Sequence, residues 1–241
     1  MKSLVRYIRL IILRLLYQFR PSLSLSDNTV IIAPHPDDEV IGCAGLIQTL
    51  VEHGIPPHVI IMTGGEGSHR ECCDVTKDEI IKERRTLALR AAETLKLPIS
   101  HVHFLDFPDE HIHISCSETE SLRKLMIDLS PKSVFVPHWG EGMDDHIQAA
   151  KIIKTIVVGK SVSVYEYCVW MWYYNVWNLD FKSARILKMS PTQHLGKLMA
   201  INHYLCPKAP CGKPWSGILP KVFLSATKWN RELYFQYKEN R

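Results

Sequence analysis

Short, wholly apolar runs alternate with helical stretches along most of the chain. Residues 29–33 (TVIIA) and 58–62 (HVIIM) lack the in–out alternation of a one-sided strand, as expected of strands buried on both faces of a parallel sheet. Between them, EVIGCAGLIQTLVEHG has helical periodicity and stops at Gly54. A long amphipathic helix is predicted over KDEIIKERRTLALRAAETLKL, ending before Pro98, followed by a third strand in HVHFLDF. ETESLRKLMIDL reads as a helix, KSVFVP as a fourth strand, DDHIQAAKIIKTIVV as a helix and SVYEYCVWMWYY as a further strand. This alternation predicts an α/β, Rossmann-like fold with a mostly parallel sheet flanked by helices. Beyond Trp177 the pattern weakens, and the proline-bearing tail reads as loops and a final helix on the same domain.

The first 20 residues, MKSLVRYIRLIILRLLYQFR, are a different kind of segment. Arginines 6, 9 and 14 interrupt them, so they are too broken for a spanning helix, and they lack both the h-region and the cleavage site of a signal peptide. On a helical wheel Lys2, Arg6, Arg9 and Arg20 form one stripe with Leu and Ile over the rest, the pattern of a helix lying in an anionic membrane surface. Docking on the protein's own body or on a partner subunit, and an inefficient signal-anchor, are the other readings. The expected organisation is a basic amphipathic helix (1–20), a linker (21–28) and a single α/β domain (29–241). A cytoplasmic protein, peripheral on the inner membrane face, follows.

Charge supports that division. The formal net charge is +4, but the first 20 residues hold five basic residues and no acid, leaving 24 basic against 25 acidic residues elsewhere. A body so balanced is not a nucleic-acid binder by charge. Seven scattered cysteines point to a reducing compartment rather than a disulfide framework, and a metal pair from Cys206 and Cys211 lacks a second pair at zinc-ribbon spacing.

The polar clusters HPDDE, TGGEGS, DFPDEH and HWGEGMDDH each follow the carboxyl end of a predicted strand, the edge where open parallel sheets bind ligands. In the first cluster an acid could cap the next helix, with the dipole stabilising first-turn acids by about 0.3–1 kcal/mol each. Capping leaves His35 unexplained, and it leaves Asp37 and Asp38 in mutual repulsion. A cation removes both objections. His35 and Asp38, three apart across Pro36, can reach one ion, and His146 of MDDHIQAA is the third ligand that a catalytic site wants. This N/O set suits Zn2+ or another divalent first-row metal, with Asp37 beside it to accept a proton from water attacking a carbonyl.

The run Ala33-Pro34-His35-Pro36-Asp37-Asp38-Glu39-Val40-Ile41-Gly42-Cys43 resembles the A-H-P-D-D-E-x-x-G-x motif of the PIG-L/LmbE-type zinc-dependent N-acetylglucosaminyl deacetylases, with Pro34 inserted. The resemblance continues through TGGEG, FLDFPDE and VFVPHWGEGMDDHIQAA, covering about residues 29–155. It implies His35, Asp38 and His146 as zinc ligands, Asp37 as general base, and Arg84 with Glu66 in substrate binding. The implied reaction is hydrolysis of the N-acetyl group of an amino sugar in glycan or glycolipid biosynthesis. Where the family's H-x-D-H segment begins with histidine, this chain has Met143; Asp145 is kept, and His138 or Glu141 in the same loop are the residues that could take the missing role. A degenerate, metal-bound carbohydrate-binding protein and a metal hydrolase of another amide or ester are the alternatives. The H-x-H pairs (His101/His103, His111/His113) are expected to face solvent or substrate, and the aromatic run to be core more than sugar platform.

Overall fold

A computed structural model of the chain describes residues 2–69, 74–174, 177 and 180–238. The Cys72-Cys73 pair, and Asn175 and Val176 of the aromatic run, lie outside the described residues. The elements are α1 (Lys2–Tyr17), β1 (Thr29–Ala33), α2 (Asp38–Glu52), β2 (His58–Thr63), α3 (Lys77–Thr94), β3 (Val102–Phe107) and α4 (Glu118–Leu129), then β4 (Ser133–Pro137), α5 (Asp144–Val157), β5 (Ser163–Tyr167), β6 (Ala184–Lys188), α6 (Pro191–Leu205), α7 (Lys221–Thr227) and β7 (Arg231–Gln236).

The strands form one sheet in the order β3-β2-β1-β4-β5-β7-β6. β1 to β5 run parallel, and β7 is antiparallel to both of its neighbours. Because successive side chains alternate, Ile31 and Ala33 pack towards α2, α3 and α6, while Val30 and Ile32 pack towards α4 and α5. Both faces are therefore covered, as the unbroken apolar runs required. The chain reverses direction of winding between β1 and β4, leaving a crevice at their carboxyl ends.

Three expectations change. The strand predicted over residues 163–174 ends at Tyr167, and a short 3-10 turn, Trp170–Trp172, replaces its second half. The tail holds two strands and two helices rather than loops and one helix. The linker is not free: Leu23 N–H donates to Ile186 O at 2.9 Å and Ile186 N–H to Pro21 O at 2.9 Å, lacing it to the edge strand β6.

The N-terminal helix is turned the opposite way from its wheel. Its arginines face the body: Arg6 donates to Tyr173 O at 2.9 Å and buried Arg9 to Met171 O at 3.0 Å. Arg14 reaches Ser225 O and Ala226 O at the carboxyl end of α7, where a cation meets the helix dipole. Leu10, Leu13 and Tyr17 pack between them against Met171, Trp172, Val222 and Phe235. Arg6, Arg9 and Arg14 are thus clamps on the protein and are not offered to an anionic surface. No helix among the described residues is long and apolar enough to cross a membrane.

Cys43, Cys116, Cys168 and Cys206 are free thiols, whereas Cys211 is disulfide-bonded. That bond removes Cys211 from any Cys206/Cys211 metal pair and runs against the reading of a wholly reduced chain.

Candidate metal and hydrolytic site

The turn from β1 into α2 sets the site. Asp37 stands at the N-cap position of α2 but makes no side-chain cap bond, with φ 125° and ψ −25°. A non-glycine residue there costs about 1–3 kcal/mol, tolerated where surroundings hold it for function. Arg84 on α3 holds it: Nη2 donates to Pro36 O and lies 3.4 Å from Asp37 Oδ2, while Nη1 donates to Gly65 O at 2.9 Å. Gly65 has φ +71°, and a Cβ there would stand 1.9 Å from Arg84 Nη1, so the TGGEG loop needs glycine to admit the guanidinium. Glu39 also supports the turn, accepting from Asp37 N–H at 3.0 Å and from Tyr204 O–H at 2.6 Å.

The structure brings His35, Asp38 and His146 together. His35 Nδ1 lies 3.3 Å from Asp38 Oδ2, His146 Nε2 lies 3.2 Å from the same oxygen, and the two ring nitrogens are 3.3 Å apart. A tetrahedral centre with bonds of about 2.0–2.1 Å has edges of about 3.3 Å, so the triangle has the size of one face of a zinc site. The other ring nitrogens are directed by carboxylates. His35 Nε2 contacts Asp109 Oδ1 at 3.0 Å and Asp145 Oδ2 at 3.2 Å; His146 Nδ1 contacts Glu141 Oε2 at 3.2 Å. These acids are themselves fixed by backbone N–H groups: Gly67 on Asp109, Glu110 and Ile112 on Asp145, and Val169, Trp170 and Met171 on Glu141. Such outer carboxylates set which nitrogen is free to ligate.

Six buried carboxyl groups (Asp37, Asp38, Glu39, Asp109, Glu141, Asp145) meet two imidazoles and one buried guanidinium. Burial pushes the Asp37 carboxyl up to about 8, with Arg84 pulling down and Asp38 and Glu39 adding to the rise. Burial would raise Asp38 as well, but His146 and His35 hold it below the usual carboxylate range. Burial disfavours charge on His146, yet Asp38 and Glu141 raise it to about 9. The carboxylates that favour a positive charge on both imidazoles make the negative field that a divalent cation would meet.

Asp37, Asp38 and Arg84 open onto a cleft of about 160 Å³ walled by Ile41, Trp170, Leu219 and Phe223, with Met143 at its edge. A larger surface cleft of about 520 Å³ beside Lys154 and Tyr237 gathers no ligand set, so volume does not locate the chemistry.

The remaining expected residues are distributed differently. Asp145 meets His35 and orients it. Arg84 commits both terminal nitrogens to the turn, leaving only its buried Nε without a hydrogen-bond partner. Glu66 accepts from Asp109 N–H at 3.2 Å and joins two loops. His138 is not at the cleft: its ring packs 4.7 Å from Phe235, Nδ1 accepts from Gly140 N–H at 2.9 Å, and burial with nearby Lys154 lowers its pKa to about 3. Glu141 accepts three backbone N–H groups, contacts His146 and does not line the cleft. Neither takes the role left by Met143. His101 stacks on His58 at 4.1 Å and His103 lies 3.0 Å from it, at the amino ends of β2 and β3, opposite the crevice. His111 and His113 are exposed. Asp109 is the residue the sequence reading passed over; its only signal was a place in DFPDEH.

Fold and cluster define a class: a doubly wound α/β protein with a candidate His/Asp/His cation site at its switch point. The PIG-L family profile, described as GlcNAc-PI de-N-acetylase, matches residues 30–157, more than half of the chain, and the chain belongs to that family. It is 30% identical over 121 residues to diacetylchitobiose deacetylase of Thermococcus kodakarensis, covering 49% of this chain and 44% of that one. The chain spans less than half the length of the curated relatives it matches. Among solved structures, the fold is shared with N,N'-diacetylchitobiose deacetylase from Pyrococcus horikoshii (TM-score 0.60, 22% identity, 80% of this chain and 75% of that one). It is also shared with the zinc-inhibited form of teicoplanin deacetylase Orf2 (TM-score 0.65, 13% identity, 86% and 97%).

Proposed function

We propose that this protein is a metal-dependent N-deacetylase that hydrolyses the acetamide of an N-acetylated amino sugar in glycan or glycolipid biosynthesis, releasing acetate and a free amine. The observation that carries the reading is the 3.2–3.3 Å triangle of His35, Asp38 and His146, with Asp37 next to Asp38 and outside the triangle. The family description and the chitobiose deacetylase relative support an N-acetylglucosaminyl substrate.

His35 Nδ1, Asp38 Oδ2 and His146 Nε2 would hold the cation, zinc or another first-row divalent ion. When bound, it supplies Lewis acidity, acidifying water and polarising the acyl oxygen. Asp37 takes the proton from the attacking water; its carboxyl, kept in place by Arg84 and a strained backbone, cannot turn away to cap the helix. Asp109, Asp145 and Glu141 keep both imidazoles presenting the correct nitrogen. Trp170, Leu219 and Phe223 exclude bulk water and give a sugar ring apolar surface.

Asp37→Asn should lower acetate release from N-acetylglucosamine conjugates about 10²–10⁴-fold, the range of a lost general base, while metal content stays at the native level. Wild-type turnover in that variant removes Asp37 from the mechanism. Met143 favours a second reading, a carbohydrate-binding protein that holds its metal without turnover. Sugar binding with no acetate release from any N-acetylated amino sugar, in metal-loaded wild type, would establish it.

A further inference from the structure

With its arginines turned inward, α1 presents its aliphatic side outward. Leu4, Ile8, Ile11 and Leu15 follow the helix axis along the outer face and are 64%, 46%, 55% and 59% exposed. Val5, Ile12 and Leu16 widen the stripe on one flank, and Phe19, 84% exposed, extends it past the helix end. Together they form an apolar strip along and just past the helix, the kind of exposed patch that marks an interaction site and not a scatter of single surface residues.

We propose that this face is a lipid-bilayer docking surface, inserted among acyl chains, and that its binding is hydrophobic and indifferent to lipid charge. Three features favour hydrocarbon over a second copy of the chain. At 100° per residue the stripe is about 140° wide, broader than the two-position seam of a helix pair. In the heptad register through Val5, Ile8, Ile12 and Leu15, the flanking positions are Leu4, Arg9, Ile11, Leu16 and Gln18, and the one charge among them, Arg9, is buried against the body instead of facing a partner. The stripe offers no hydrogen-bonding side chain, whereas protein interfaces carry about one hydrogen bond per 100–200 Å².

The flanks fit headgroups. Arg20 lies over the Phe181 ring at 4.1 Å and Arg9 lies 5.7 Å from the Trp177 ring, placing two exposed aromatics along one side of the stripe. The helix is also coupled to the cleft. It rests on Met171, Trp172, Val222 and Ala226, while Trp170 and Phe223 of the same two segments wall the cavity. The proposal does not rest on the deacetylation reading, since none of the stripe residues lines the cleft.

Flotation of the full chain with phosphatidylcholine vesicles tests this. The expected result is co-flotation at low salt and at about 1 M NaCl, where the Debye length is only about 3 Å. The variant carrying Leu4→Gln, Ile8→Gln, Ile11→Gln and Leu15→Gln should stay at the bottom of the gradient with an unchanged thermal midpoint. Failure of the wild type to float overturns the proposal. So does flotation only with anionic vesicles, reversed by salt, or a lipid-free dimer that the variant converts to monomer.

Discussion

The clamp on His35 makes a quantitative prediction about metal affinity. One ring N–H faces two carboxylates, Asp109 Oδ1 at 3.0 Å and Asp145 Oδ2 at 3.2 Å, so neither alone holds the tautomer. Asp109→Asn leaves an acceptor for either His35 or the Gly67 N–H now 2.7 Å from Asp109 Oδ2, but in both amide orientations His35 loses an anionic partner. Losing an outer carboxylate typically weakens metal affinity 10–100-fold. With Asp145 still in place the lower end applies: about tenfold, or about 1.4 kcal/mol. Asp145→Asn is the parallel case: with its oxygen kept towards His35 and the Glu110 N–H, its amide NH2 opposes the Ile112 N–H that now donates to Oδ1 at 3.0 Å, so a loss of similar size is expected. The double variant should approach a 100-fold loss, about 2.7 kcal/mol. Competition against a chromophoric chelator at fixed pH measures each Kd for zinc, and melting of the metal-free proteins separates lost affinity from lost folding. Native Kd in both single variants would refute the assignment of Nδ1 as the ligating nitrogen.

Two further outcomes follow from residues at and behind the cleft. Met143→His places a proton donor where the thioether now takes a 3.7 Å contact from the Tyr174 hydroxyl, and kcat for acetate release should rise at least about tenfold; an unchanged kcat moves the amine's proton to another group, Tyr174 the first to substitute. His138 is buried with its pKa lowered to about 3, so the unfolded chain binds the proton first as pH falls. Its stabilising contribution is complete above about pH 6.5 and is lost towards pH 3 at about 1.4 kcal/mol per unit. His138→Asn, which keeps an acceptor for Gly140 N–H, should flatten the acid limb of the melting profile; equal slopes would show that another group sets it.

How much of this was legible depended on whether a residue's role is local. The parallel half of the sheet could be read because β1, β2 and β4 are buried on both faces and so are continuously apolar. His35, Asp37 and Asp38 could be read because they share one turn whose acids exceed what a helix start needs. His146 followed from ligand chemistry. Asp109 could not be ranked above Glu110 or Asp106, since its value lies in the β3 loop's approach to His35. α6 carried its start signal openly, with Ser190 and Gln193 in a capping box and Pro191 between them. Its buried face, however, includes Gln193 and Lys197, which blurred the periodicity.

The larger misreadings share one cause: charge that is buried with partners looks, in sequence, like charge at the surface. β7 was not read as a strand because Glu232 interrupts its apolar run, yet Glu232 is buried. It pairs with Lys197 at 2.7 Å and accepts the Gly45 and Leu46 N–H groups of α2. The arginines of α1 were rightly seen as a stripe and wrongly pointed. A helical wheel separates faces but does not say which one is bound. That choice was made by acceptors far along the chain, the carbonyls of Met171, Tyr173, Ser225 and Ala226, which five-donor guanidinium groups satisfy and aliphatic side chains cannot. Once those carbonyls claim the arginines, the leucines and isoleucines have only the outside left, and the sequence features that first suggested electrostatic attachment to a membrane become the reason the docking surface proposed for α1 is a hydrophobic one.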